Sequence, residues 1–88
     1  MTSKYLLTVE DRWELRWGLT IAPGLSGGTM GLKVGEAIVL RRPGRHPLYS
    51  HIAGFCLPAP NPRHCYPIVL PENIHKIDVP IGTEIWQA

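Results

Sequence analysis

The chain has 88 residues, of which 44% are hydrophobic and 18% charged, and its formal net charge is +2 at pH 7. This length permits one domain over residues 1–88 with a small core, so a deep, private active site is not expected. The charge falls short of that of strongly basic nucleic-acid-binding domains, which allows RNA as a partner without indicating it.

The N-terminal segment and the hydropathy pattern predict a cytoplasmic protein. The start, MTSKYLLTVEDRW, has too short an apolar core for a signal peptide and lacks a cleavage-site pattern. No apolar run approaches the roughly 20 residues that a membrane-spanning helix needs. We therefore expect no membrane partner.

Nine prolines and nine glycines leave few windows of a helix's length without a breaker. Apolar and β-branched residues instead form short runs that are typical of strands. About six such strands in one small domain predict an all-β fold, a small closed or nearly closed antiparallel β-barrel. The predicted strands are Tyr5 to Glu10, Trp17 to Ala22, Glu36 to Arg42, Pro47 to Phe55, Tyr66 to Leu70 and Thr83 to Trp86, the third and fourth of which form a hairpin around a Pro43-Gly44 turn.

A local pattern occurs twice, as KVGEAIVL and as PIGTEIWQ. In both segments an apolar residue and a glycine, Val34-Gly35 and Ile81-Gly82, stand just before a predicted strand. A glycine can adopt a positive φ there and turn the chain sharply. The repeat therefore predicts two similar turns that direct the following apolar residues into a core.

The segment PGLSGGTMG, Pro23 to Gly31, is rich in glycine. A phosphate-binding loop needs a following helix and usually a Lys-Ser/Thr pair, whereas Lys33 is followed by Val34. The segment is better explained as a connection between strands. We expect neither a nucleotide nor another cofactor.

Cys56 and Cys65 are expected to be free thiols in a reducing cytoplasm, with a disulfide only if the chain is exported. Together with His64 they are residue types that bind metals, but their spacing is not that of familiar zinc sites. A thiol near a histidine is also a nucleophile in some enzymes, although no orienting third group is evident. A metal or thiol site at Cys56, His64 and Cys65 stays an alternative to the expectation of no metal and no catalysis.

Three tryptophans are an unusual number for so short a chain. We expect Trp86 to lie in the core, where it would bury a large apolar area. For Trp13 and Trp17 the sequence leaves two readings open, a core position or an exposed position as a binding anchor, because interfaces favour tryptophan.

Arg41, Arg42, Arg45 and His46 cluster around the tip of the predicted hairpin. Such a cluster is a candidate binding patch for the phosphates of RNA. The alternative is that the charges keep the tip soluble and discourage edge pairing between molecules.

Three segments together resemble a known domain: LTVEDRWELRWGLTIAPGL, LKVGEAIVLRRPGRHPLYSHIAGF and DVPIGTEIW. They resemble the β-barrel second domain of translation GTPases such as elongation factor Tu, and small standalone bacterial proteins that carry this barrel without a GTPase domain. In the large factors this domain contacts the small ribosomal subunit or the aminoacyl end of a transfer RNA. The chain has no GxxxxGK[ST] segment, so the resemblance does not imply GTPase activity.

The expected function is thus that of a non-catalytic binding or assembly module. A protein partner or self-association is the first expectation. The alternative is association with RNA or the ribosome through Arg41, Arg42 and Arg45.

Overall fold

Eight β-strands and one short 3₁₀ helix make up the described parts of a computed structural model, residues 4–26, 32–56 and 65–88. No α-helix occurs in these ranges, and the all-β prediction is confirmed. The strands are β1 (Lys4–Thr8), β2 (Asp11–Leu15), β3 (Gly18–Ser26), β4 (Ala37–Arg41), β5 (Leu48–His51), β6 (Gly54–Phe55), β7 (Cys65–Leu70) and β8 (Glu84–Gln87), and the 3₁₀ helix is Lys76–Asp78.

The strands form two antiparallel sheets of four strands each. Sheet 1 has the order β1-β8-β4-β5, and sheet 2 has the order β2-β3-β7-β6. Within the described residues neither sheet closes on itself. The chain crosses from sheet 1 to sheet 2 twice, between β1 and β2 and between β5 and β6.

The structure has eight strands in its described parts, whereas the sequence predicted about six, and the two crossings account for the difference. The predicted strand Pro47–Phe55 is divided: β5 pairs with β4 in sheet 1, whereas β6 pairs with β7 in sheet 2. Strand β2 was not predicted at all. Strand β3 continues past Pro23 and Gly24 to Ser26, with an irregular register against β7 that accommodates these two residues. Residues 27–31 of the glycine-rich segment lie outside the described ranges.

The first crossing is held by the turn that precedes β8. The backbone N–H of Val9 donates to the carbonyl of Thr83 at 2.8 Å, and the N–H of Gly82 donates to the carbonyl of Val9 at 2.9 Å. The next residue, Glu10, donates its N–H to Ala22 in sheet 2 at 2.7 Å. Val9 therefore bonds to the turn before β8 of sheet 1, whereas Glu10 bonds to β3 of sheet 2. These contacts with residues distant in the sequence bend the chain between β1 and β2.

The second crossing repeats this arrangement with the turn that precedes β4. The N–H of Gly35 donates to the carbonyl of Ile52 at 2.7 Å, and the N–H of Ile52 donates to Glu36 at 3.0 Å. Ala53 then donates to Val69 in sheet 2 at 2.9 Å. Gly35 and Gly82 have φ of 93° and 95°, so the prediction of two similar glycine turns is confirmed.

One hydrophobic core lies between the two sheets. It takes alternate residues from the strands of both, as the period of two in a half-buried strand requires. Its fully buried members include Ile38, Leu40 and Ile85 from sheet 1 and Leu19, Ile21, Ile68 and Leu70 from sheet 2.

Candidate functional site

The hairpin of β2 and β3 carries three large apolar side chains on the outer side of sheet 2. Trp13, Leu15 and Trp17 are exposed by 46%, 41% and 57%, and we call them the tryptophan face. Trp13 lies opposite Thr20, and Leu15 lies opposite Gly18. The sequence left open whether Trp13 and Trp17 lie in the core or on the surface, and both are exposed.

The alternation along β2 explains this exposure. Arg12 and Glu14, which separate the apolar residues, lie opposite the core residues Ile21 and Leu19. Trp13 and Leu15 must therefore point to the other side of the sheet. The pattern RWELRW, with apolar residues at every second position, was the signal in the sequence that could have identified β2.

A shallow groove of about 380 Å³ borders the tryptophan face, lined by Trp17, Ala53, Gly54, Phe55, Cys56 and Val69. Trp17 forms one wall, and Gly54 leaves the outer surface of β6 without a side chain. The groove is large enough for one side chain of a partner. Together with the tryptophan face it forms an apolar region on one side of the molecule.

Trp86 does not lie in the core, contrary to the prediction. It is half-buried on the outer side of sheet 1, because it pairs with Tyr5 of β1 and Val39 of β4, and the core face of β8 is taken by Ile85. The rings of Tyr5 and Trp86 meet edge to face, with centroids 5.5 Å apart and planes at 72°.

These residues belong to a row that crosses sheet 1. Tyr5, Trp86, Val39 and Tyr49 are consecutive partners on four neighbouring strands, and Tyr49 is 75% exposed. The guanidinium of Arg41 lies over the Trp86 ring, with its carbon 5.0 Å from the ring centroid. Sequence reasoning missed both tyrosines, since their shared face depends on strand register.

The hairpin-tip arginines have different contacts. Arg42 donates from Nε and a terminal nitrogen to the carbonyl of His46, at 3.1 and 2.8 Å, and also reaches the carbonyl of Asp78 at 3.4 Å. Arg45 donates to the carbonyl of Ile77 at 3.0 Å. These two guanidiniums fasten the tip to the 3₁₀ helix, whereas Arg41 belongs to the aromatic row. The side chain of His46 is exposed.

The predicted metal or thiol site is only partly described. Cys56 is half-buried beside Trp17, whereas His64 and the side chain of Cys65 lie outside the described part of the chain. Within the described ranges no three His, Cys, Asp or Glu side chains are grouped so that they could hold a metal ion.

The described residues include no helix with the length and apolarity that are needed to cross a membrane. Comparisons of the chain with protein-family models, with curated proteins and with solved structures give no match.

Proposed function

We propose that this chain is a non-catalytic binding or assembly module built on a β-barrel of the translation-factor type, with a protein as its partner. The tryptophan face is the observation that carries the proposal. Contiguous exposed apolar side chains mark interaction sites on soluble proteins, and tryptophan is the residue most enriched among those that dominate binding energy.

The barrel description is supported by the two crossings of the chain. At Val9 and Ile52 one continuous run of chain bonds first to one sheet and then to the other. Counting β1 with β2 and β5 with β6 as single bent strands gives a ring of about six strands around one core. This count agrees with the six strands that the apolar runs of the sequence predict.

The hairpin holds its apolar side chains in place before a partner arrives. Trp13 stands on a strand that is paired with β3, and Trp17 occupies the two-residue turn that closes the hairpin. Such preorganised anchors lose little conformational freedom on binding, so more of their contact energy contributes to affinity.

Replacing Trp13 and Trp17 together with serine should abolish binding to the protein partner. We expect that a tagged wild-type protein captures one or two proteins from its own cell lysate after nuclease treatment. The double variant should lose them, since both anchors of the face are removed. Tyr49→Ser, on the opposite sheet, is the matched control and should keep them. Equal capture by all three proteins would contradict the proposal.

RNA binding is a second candidate, favoured by the aromatic row of sheet 1. Exposed rings on a sheet surface stack on bases, and an arginine beside them can contact phosphates or stack as well. Tyr5, Trp86, Tyr49 and Arg41 provide both kinds of group on one face. This moves the candidate RNA contact from the whole arginine cluster to Arg41 and its aromatic neighbours.

A filter-binding assay at increasing salt tests this candidate. Arg41, Arg42 and Arg45 replaced together by serine should abolish any salt-sensitive RNA binding, and Arg41→Ser alone should account for most of that loss. Arg45→Ser should have little effect on binding, because its guanidinium already donates to the carbonyl of Ile77. Unchanged retention of RNA by the triple variant would remove this candidate.

A further inference from the structure

Two isoleucines beside the tip of the β4–β5 hairpin are exposed to solvent. Ile77, on the 3₁₀ helix, is 79% exposed, the largest fraction among the exposed large apolar side chains of the described ranges, and Ile81 is 57% exposed. Arg45 of the tip donates to the carbonyl of Ile77 at 3.0 Å. Pro43 of the tip lies against Gly82, because a Cβ built on that glycine would be 3.6 Å from Cγ of Pro43. The tip therefore neighbours both isoleucines.

The surface around these isoleucines is basic. We call residues 42–47 and 75–82 the isoleucine end. Its charged residues are Arg42, Arg45, Lys76 and Asp78. The other Lys and Arg residues of the chain equal the other Asp and Glu residues in number, so the isoleucine end carries the whole formal net charge of +2. Two exposed histidines, His46 and His75, add positive charge where they are protonated.

Two carboxylates at this end are bonded to backbone N–H groups. Oδ2 of Asp78 accepts the N–H of His75 at 2.9 Å, and Oε1 of Glu14, on β2, accepts the N–H of Lys76 at 2.7 Å. Oε1 of Glu14 also lies 3.5 Å from Nδ1 of His75. Arg45 and Lys76, by contrast, are exposed. A surface that approaches this end therefore meets apolar side chains and cations together.

The opposite end of sheet 1 provides a comparison. Strands β4 and β8 are antiparallel, so the two glycine turns that precede them lie at opposite ends of the sheet. Val34, in the turn before β4, is 64% exposed and corresponds to Ile81 in the turn before β8. The charged neighbours of Val34 are Lys33 and Glu36, which have opposite signs. Both turns thus expose an aliphatic side chain, but the turn at Val34 is neutral.

We infer that the isoleucine end binds the surface of an anionic lipid membrane. Ile77 and Ile81 would enter the boundary between head groups and acyl chains, while Lys76 reaches the lipid phosphates and the two guanidiniums add to the positive field. The sequence predicted no membrane partner because no apolar run is long enough to cross a bilayer. Contact with the bilayer surface requires only a few apolar side chains beside cations.

The shape of this end favours a lipid surface over an acidic protein segment. Ile77 and Ile81 project from a 3₁₀ helix and a turn. Neither of them lines the groove beside Trp17 or the cavity that Glu14 and His75 border. A protein partner needs a surface of complementary shape, whereas lipid head groups rearrange around projecting side chains.

Sedimentation with lipid vesicles tests the inference. The wild-type protein should sediment with vesicles of phosphatidylcholine and phosphatidylglycerol in equal parts, and should stay in the supernatant with vesicles of phosphatidylcholine alone. Binding to the mixed vesicles should disappear at about 1 M NaCl, where the screening length falls to about 3 Å. Equal binding to both kinds of vesicle, or binding to neither, would overturn the inference.

Two matched double variants locate the contact. Lys76→Ser with Ile77→Ser should lower the binding constant for the mixed vesicles by about tenfold or more, since a cation and an aliphatic side chain are lost. Lys33→Ser with Val34→Ser removes the same kinds of side chain at the opposite end of sheet 1 and should bind as the wild type does. Circular dichroism checks that both variants are folded. Equal binding by the two variants would contradict the inference.

A third double variant separates this contact from the proposed protein-binding function. Trp13→Ser with Trp17→Ser should lose the protein partner and still bind the mixed vesicles, because the tryptophan face lies on the outer side of sheet 2. If this variant loses the vesicles while Lys76→Ser with Ile77→Ser keeps them, the lipid contact is the tryptophan face and the inference is wrong.

Soluble polyglutamate tests the other kind of partner. In the absence of vesicles it should bind the wild-type protein no better than it binds Lys76→Ser with Ile77→Ser. Polyglutamate binding that depends on Lys76 and Ile77, in a protein that ignores the mixed vesicles, would overturn the lipid contact and indicate an acidic protein segment instead. The proposed function of the tryptophan face would stand in either case.

Discussion

Gly18→Ala should lower the free energy of unfolding by about 3 kcal/mol or more. The glycine has φ of +135°, and a Cβ built on it would lie 2.4 Å from the carbonyl oxygen of Leu70 and 3.0 Å from Cγ1 of Val69. The strained backbone costs about 1–3 kcal/mol and the overpacking about 1–3 kcal/mol more. Urea denaturation followed by tryptophan fluorescence measures the change.

Gly44→Ala is the matched control for this prediction. Gly44 also has a positive φ, of 65°, but an added Cβ meets no atom within 4 Å. The cost should be about 1 kcal/mol, since only the left-handed conformation is penalised. An equal loss at both positions would show that close approach to Leu70 is not what requires glycine at residue 18.

Gly18 also positions the hairpin that carries the tryptophan face. It is the first residue of β3 and directly follows Trp17, and it lets the hairpin press against β7. A shift of the hairpin would displace the tryptophan face. Gly18→Ala protein that remains folded should therefore also bind its partner less tightly.

Local sequence patterns predicted the features of this fold that depend on local conformation. The glycines at 35, 44 and 82 have positive φ because turns at those positions need it, and their neighbours in the sequence identify the turns. The runs before and after them become strands β4 and β8. A tight turn is decided by a few consecutive residues, so it is visible without a structure.

The crossings between sheets could not be predicted in this way. From Leu48 to Phe55 no proline interrupts the chain, so residues 47–55 read as one strand. The bend is decided by bonds from Ile52 to Glu36 and from Ala53 to Val69, which are distant in the sequence. Nothing in the segment itself distinguishes a straight strand from a bent one.

The side of the sheet on which a candidate-site residue lies also depends on strand register, which the sequence does not show. Trp86 was expected in the core, and its neighbours in the sequence suit either side of a sheet. Its pairing with Tyr5 and Val39 places it outside. Arg41 and Arg42 are adjacent in the sequence, but Arg41 lies over the Trp86 ring whereas Arg42 donates to the carbonyls of His46 and Asp78.

The second large effect is expected at the two isoleucines that follow the repeated turns. Ile38→Ala and Ile85→Ala should each lower the free energy of unfolding by about 2–5 kcal/mol, because both side chains are completely buried. A chain of this length has a total stability of roughly 4–13 kcal/mol, so either variant should be largely unfolded in mild urea. Circular dichroism over a urea series measures the loss.

The two costs should agree within about 1 kcal/mol, because the two positions are equivalent in the fold. Each isoleucine stands three residues after a turn glycine, on one of the two central strands of sheet 1, and Val39 and Trp86 beside them are partners. Ile81→Ala, at a residue that is 57% exposed, is the control and should cost about 0.5 kcal/mol or less. A large loss at Ile85 with a small one at Ile38 would mean that the shared turn geometry does not extend to the packing, and that the core depends mainly on the half of sheet 1 formed by β1 and β8.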